Sequence, residues 1–465
     1  MTVQGEPHAV WGDESGVVQS ALDWTAGRVV RHTDPHTTAR SATELAAAAG
    51  PTVVPAGIGG AEALRIFAEV LEPATRSQDD AYNLAYIPAA PTRAAVAFDL
   101  VTSAANIFGG MWEAGAGAIY AENETLAWIT GMLGWPDTSG GCFVSGGTSG
   151  NLSALLTARE TAKSRRGGRP AGGWKLACTE NAHSSISSAA RALDVDIVPV
   201  PVDDRGHLTG EALRSVLERE PDVFAVVASA GTTNEGLIDD LEGIADVCER
   251  QGVWMHVDGA YGGAGLAAPS VRPLFAGIER ADSFIVDPHK WLFAPYDCCA
   301  LVYREPDLAR AVHAQHASYL DHIDRDSWNP SEFALHLSRR VRGLPLWFSL
   351  ATHGTDRYRD AIEKCLATSR EVAEAIRASD FMHLSREPEL SVLIFERPGF
   401  TDAQYEQWSR VTADNSIMLC VPTSWRGRTV LRLAFVNPDT EAATVIAALQ
   451  TLRGQAGDPV EEGVD

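Results

Sequence analysis

The chain has 465 residues, 45% of them apolar and 21% charged, which suits a folded protein of two or three domains with core to spare. Its 61 acidic residues against 38 basic ones, a formal charge of -23, would repel nucleic-acid phosphates and anionic lipid, so neither is expected as a partner. Seven cysteines without a C-x-x-C pair indicate neither a disulfide framework nor a metal site and suit a reducing cytoplasm. The N-terminus lacks a basic segment followed by an apolar one, and no run nears the roughly 18 apolar residues of a membrane span, so secretion and insertion are not expected.

In chain order, residues 1–92 read as a helical segment, with apolar positions at helical spacing in "SGVVQSALDWTAGRVV" and "GGAEALRIFAEVLEPA". Those faces need a partner surface, which predicts a dimerisation arm. Two further helices are predicted in "TRAAVAFDLVTSAANI" and "NETLAWITGMLGW". Short β-rich stretches follow at 174–179, 196–200, 223–229, 253–258 and 283–287, separated by helical runs such as "GNLSALLTARETAKSRR" and "DDLEGIADVCERQG". Nearly continuous apolar strands alternating with amphipathic helices predict a mostly parallel sheet covered on both faces, an α/β domain over 93–345. Beyond it, the helix "ATSREVAEAIRA" and the strands "LSVLIFER" and "TVLRLAFV" predict a smaller α/β domain over 346–465 that ends in an acidic tail.

Ligands of such sheets bind beyond the carboxyl ends of the strands, so the residues just after each strand carry the functional reading. "VWMHVD" ends in Asp258, "SFIVD" delivers His289 and Lys290, "WKLACT" leads to His183, and "VFAVVAS" leads to Thr232 and Thr233. Each has a bland reading alone: an aspartate cap, a structural histidine, a surface lysine. Their convergence is the informative feature. A fifth element, "SGGTSGNLSALLTAR", is a Gly/Ser/Thr loop that opens onto a helix, where backbone N–H groups, the helix dipole and the hydroxyls of Thr148 and Ser149 suit a phosphate. It is neither a Walker loop, since the chain contains no Gly-Lys pair, nor a G-x-G-x-x-G dinucleotide fingerprint. A phosphate cradle, a strand-end carboxylate, a histidine able to stack and a shielded lysine together describe the needs of pyridoxal 5'-phosphate. The lysine bonds the cofactor aldehyde, and the carboxylate keeps the ring nitrogen protonated, so that the ring withdraws electrons from the substrate.

The motifs "NAHSS", "GTTNEG", "HVDGAYGG" and "DPHKWL", in that order and with the last two some thirty residues apart, resemble those of the group II pyridoxal-phosphate-dependent decarboxylases of fold type I, such as aromatic-L-amino-acid, glutamate and diaminobutyrate decarboxylases. The resemblance runs from about Tyr86 to "VLRLAFVNPDT". It implies Lys290 as the Schiff-base lysine, Asp258 at the ring nitrogen, and Ala260 and His183 on the two ring faces. It also implies Gly147, Thr148 and His289 at the phosphate, Thr232 near the cofactor's polar edge, and Tyr319, on a loop beyond the lysine, as the acid that protonates Cα. Gly259 and Asp287 depart from the pattern, since aromatic-acid members often have Ala and Asn there. The substrate, an L-amino acid, would contact Tyr86, Ile87, Pro88, the region of Trp112, and Tyr296, a lining that leans toward an aromatic side chain. Ala89 stands where such members often have Thr, and Asp321 and Asp324 suit a diamino acid. The implied assembly is a homodimer with its active site between subunits. Rival activities on the same fold are an aldehyde synthase that deaminates oxidatively, an aminotransferase and a phosphate-ester lyase; retention of both Tyr319 and His183 favours simple decarboxylation.

Overall fold

The computed structural model describes residues 15–31, 40–314 and 328–455. Seven strands form the larger sheet: β1 Gly140–Val144, β2 Trp174–Cys178, β3 Val195–Pro199, β4 Val223–Ser229, β5 Trp254–Asp258, β6 Ser283–Val286 and β7 Cys299–Tyr303. Their order is β1-β7-β6-β5-β4-β2-β3. The pairs from β3 to β6 are parallel, whereas β7 runs antiparallel to both β1 and β6. The carboxyl ends of β1, β2, β4, β5 and β6 therefore share one edge. Each face is covered by its own apolar layer, one built around Phe284, Tyr261 and Trp291 and the other around Phe224, Tyr303 and Ile285. This is the covered, mostly parallel sheet that continuous apolar strands predict.

The five strands expected from the sequence all form, β4 with the expected bounds. Two more were not foreseen, β1 and β7. The "GGCFV" of β1 carries two glycines, which read as a turn rather than a strand. Pairing requires Gly141, where a Cβ would run into the Leu301 carbonyl of β7, and the Trp328 ring requires Gly140, where a Cβ would come within 2.8 Å of it.

A second, four-stranded antiparallel sheet is built from β8 His383–Leu384, β9 Val392–Glu396, β10 Val421–Trp425 and β11 Arg428–Ala434, in the order β10-β11-β9-β8. Helix Thr355–Arg377 packs on it, and the helix before, Leu344–His353, spans the join expected at 345/346. Toward the N-terminus, helix Ser15–Val30 coincides with its expected segment, and the second expected run becomes helix Gly60–Ile66 continued by tighter and wider turns to Ala74. Val18, Val30 and Val53 remain exposed there, and helix Ala42–Ala49 buries no residue. A buried bidentate ion pair, Arg339 to Glu122 at 2.7 and 2.8 Å, ties helix Trp112–Leu133 to the loop before Leu344.

Candidate active site

At the common edge of the central strands lies a cavity of about 230 Å³, lined by residues from five separate segments. The Gly146–Thr148 turn after β1 forms one wall. Helix Gly147–Arg166 begins there, and no side chain among the described residues caps it; its first backbone bonds close only at Ser149 and Gly150, both to Gly146 O. The N–H groups of Gly147 and Thr148 are thus left for an anion, with the helix dipole behind them. Gly147 keeps this wall low, since a Cβ would come within 3.3 Å of Asp287 Oδ2 and 3.4 Å of Ala260 Cβ.

Asp258 closes β5 and is buried because β4 and β6 flank it. Its Oδ1 accepts the Ala260 N–H at 3.0 Å and its Oδ2 accepts the Asn151 amide at 2.9 Å, so both oxygens are held. Lys290 follows β6 on a single helical turn, Pro288–Trp291, with its Nζ 3.0 Å from Asp287 Oδ2. Burial works against the lysine charge, but the Asp287 carboxylate outweighs it and raises the pKa above the ordinary lysine value. Asp287 Oδ1 has no hydrogen-bond partner among the described residues. His289 Nδ1 accepts the Cys298 N–H at 3.1 Å, and burial lowers the pKa of its imidazole. Thr232 Oγ1 accepts the Leu237 N–H, which leaves its own proton for the cavity. His183 caps helix Ser184–Ala192 through Nδ1, which receives the Ser185 N–H at 3.2 Å, and its ring lines the cavity.

Gly147, Thr148, His183, Thr232, Asp258, Ala260, His289 and Lys290 therefore surround one space. Tyr86, Pro88 and Trp112 do not line it, and neither does Tyr296. Pro88 is buried, Tyr86 is exposed, and the Tyr296 ring leans on His289 at 4.8 Å while lining the neighbouring cleft of about 520 Å³ together with Ala89. Tyr319, Asp321 and Asp324 lie outside the described residues. Asn151 and Asn181 were missed. The signal for Asn151 was an asparagine one turn inside a helix, where it is a poor former and needs a reason. Arg432 was also missed: deeply buried on β11, it donates to the carbonyls of Tyr86 at 2.6 Å, Thr233 at 2.5 Å and Asn234 at 3.2 Å, so the smaller sheet holds the loops at the cavity mouth.

An amine, an uncapped helix start and a buried, doubly held carboxylate around one cavity fit pyridoxal phosphate in charge and in donor set, and the lowered wall at Gly147 leaves the phosphate its place. Fold and site together define a pyridoxal-phosphate enzyme of the α/β type. The pyridoxal-dependent decarboxylase conserved domain matches residues 64–397. An aromatic-L-amino-acid decarboxylase of Bacillus atrophaeus is 29% identical over 395 residues, covering 81% of this chain and 82% of that protein. Among solved structures, Oryza sativa TDC with PLP and tryptamine aligns with a TM-score of 0.88 at 22% identity over 97% of this chain and 98% of that one. Rhodiola rosea 4-hydroxyphenylacetaldehyde synthase aligns with 0.85 at 21% identity, over 95% and 98%; these two likenesses speak for the fold. The chain belongs to the pyridoxal-dependent decarboxylase family, whose members are pyridoxal-phosphate-dependent carboxy-lyases.

Proposed function

We propose that this chain removes the α-carboxylate of an L-amino acid, preferentially an aromatic one, releasing the amine and carbon dioxide. The observation that carries the reading is the meeting of Lys290, Asp258 and the open helix start at Gly147 in one cavity. Bound pyridoxal phosphate supplies an electron-withdrawing ring that accepts the electron pair left at Cα when carbon dioxide departs. Lys290 provides the amine that anchors the cofactor, with Asp287 at 3.0 Å holding that amine in place. Asp258, fixed by Asn151 and the Ala260 N–H, holds a proton on the ring nitrogen. Gly147, Thr148 and His289 would hold the phosphate, and Thr232, whose Oγ1 already accepts the Leu237 N–H, would offer its hydroxyl proton to the cofactor. His183 and Ala260, both on the cavity wall, would hold the cofactor ring. Tyr319 then delivers the proton to Cα.

The aromatic preference is supported by the exposed Tyr296, whose ring leans on the cavity residue His289, and by the exposed Tyr86, whose backbone carbonyl shares Arg432 with that of Thr233 on the cavity wall. We infer a homodimer with the site between subunits, because the apolar residues exposed on the N-terminal helices need cover; the arm 1–92, the large domain 93–345 and the small domain 346–465 form its units. The cytoplasm is the proposed location, supported by seven buried free thiols. Incubating the cofactor-loaded protein with a panel of aromatic, acidic and diamino acids, while measuring carbon dioxide, amine, aldehyde, ammonia and peroxide, tests the reading. Amine and carbon dioxide in equal amounts from an aromatic substrate are expected. Aldehyde with ammonia and peroxide, or turnover restricted to a diamino acid, would overturn it.

A further inference from the structure

Behind the cavity, polar side chains form a chain through the sheet core. Trp254 Nε1 lies 2.8 Å from Ser283 Oγ, which lies 2.8 Å from His256 Nδ1. His256 Nε2 is 2.8 Å from Asn151 Oδ1, and Asn151 Nδ2 lies 2.9 Å from both Asp258 Oδ2 and Ser185 Oγ. Ser185 Oγ in turn is 2.8 Å from His183 Nδ1. Trp254, Ser283, His256, Asn151 and Ser185 are all buried, His256 and Ser283 completely, so solvent does not replace a missing partner.

Donor and acceptor chemistry leaves one direction for every bond. The Asp258 carboxylate only accepts, so the amide nitrogen of Asn151 faces it and the amide oxygen faces His256. His256 therefore carries its proton on Nε2 and accepts at Nδ1 from the Ser283 hydroxyl, whose oxygen receives the indole N–H of Trp254, a group that only donates. Along the branch, Ser185 accepts from Asn151 and donates to His183 Nδ1, which also receives the Ser185 N–H. His183 is left with its proton on Nε2. Burial keeps the His256 imidazole neutral, as the direction demands.

We propose that Trp254, Ser283, His256 and Asn151 form a one-way hydrogen-bond relay that holds Asp258 as an acceptor and sets His183 as an Nε2–H donor toward the cavity. Asn151 and His256 are then positioning residues, acting on the cofactor through Asp258 and His183. The inference rests on the placement of those two residues in the proposed site, and it adds a requirement: the group that meets the free edge of the His183 ring must be a hydrogen-bond acceptor.

The test is nitrogen-15 NMR of the histidine rings in cofactor-free protein near neutral pH, with His183→Gln and His256→Gln assigning the signals. Both rings are expected as single Nε2–H tautomers with an accepting Nδ1. An Nδ1–H tautomer at either ring would overturn the relay. Its reach is read by equilibrium dialysis of pyridoxal phosphate: His256→Phe, which removes the donor to Asn151, is expected to weaken binding roughly tenfold, as for one lost hydrogen bond in a chain that ends on a charge, and to mix the tautomers of His183. His256→Gln keeps an N–H near the Nε2 position and should restore most of the affinity. Unchanged affinity with a single His183 tautomer in His256→Phe would refute the proposal, and should that variant fail to fold, the wild-type tautomers decide. Since no turnover is measured, failure here leaves the decarboxylase reading standing, and the converse also holds.

Discussion

Gly259 sits between Asp258 and Ala260, its N–H bonded to Ile285 O at 3.0 Å. A Cβ on it would lie 2.5 Å from Phe284 Cε2, 2.9 Å from Phe284 Cζ and 3.0 Å from Ile285 O. Neither neighbour yields easily. Phe284 is completely buried, Gly263 crowds the same edge of its ring so closely that a Cβ there would come within 2.6 Å of Cζ, and the Ile285 carbonyl is set by the pairing of β5 with β6. Adding a methyl group to so tight a slot costs about 1–3 kcal/mol, since the ring must leave its rotamer or the strand end must shift. Gly259→Ala is therefore expected to lower the denaturation midpoint of the cofactor-free protein, and to weaken pyridoxal phosphate because the strain falls on Asp258 and the Ala260 N–H. The assay is urea denaturation followed by tryptophan fluorescence, on Gly259→Ala, Phe284→Leu and the double variant. Removing the ring relieves the overlap, so the double variant should be more stable than the sum of the single losses by at least about 1 kcal/mol. A wild-type midpoint for Gly259→Ala, or strict additivity, would refute this account of why the chain has glycine at a position where the resemblance led us to expect alanine.

Glu122→Gln leaves the buried Arg339 guanidinium without its carboxylate and should cost about 3–5 kcal/mol, seen as a collapse in soluble yield or melting temperature; a loss below 1 kcal/mol would contradict the burial of that pair. Burial depresses the pKa of His336 from 6.5 to about 4, against the pull of its bond to the Pro330 carbonyl. A depressed histidine binds fewer protons folded than unfolded across that window, so its contribution is present above pH 6.5 and lost as pH falls toward 4, at up to about 1.4 kcal/mol per pH unit. Denaturation midpoints of wild type and His336→Gln should therefore diverge in the acid direction, and parallel curves would contradict this.

Much of the scaffold was legible because burial on both faces leaves a plain trace: "VFAVVAS" can hardly be anything but a central strand, and β4 has those bounds. The strand ends at Asp258 and Lys290 were legible for the same reason. What escaped depends on partners distant in sequence. Of the glycines that disguise β1, Gly141 admits Leu301 of β7 and Gly140 admits the Trp328 ring, and Arg432 reads as one more alternating residue of β11 until Tyr86 and Thr233 are seen around it. Asn151, His256 and Ser283 sit on three different elements, so their relay has no signature along the chain.

The claim on which the rest depends is that Lys290 is the amine that takes the cofactor. Reducing the pyridoxal-phosphate-loaded protein with borohydride and mapping its peptides by mass measures this directly. The account predicts a single reduced pyridoxyl label, on the peptide that contains Lys290, and none in Lys290→Ala. A wild-type peptide without the label, or the label on another lysine, would contradict it.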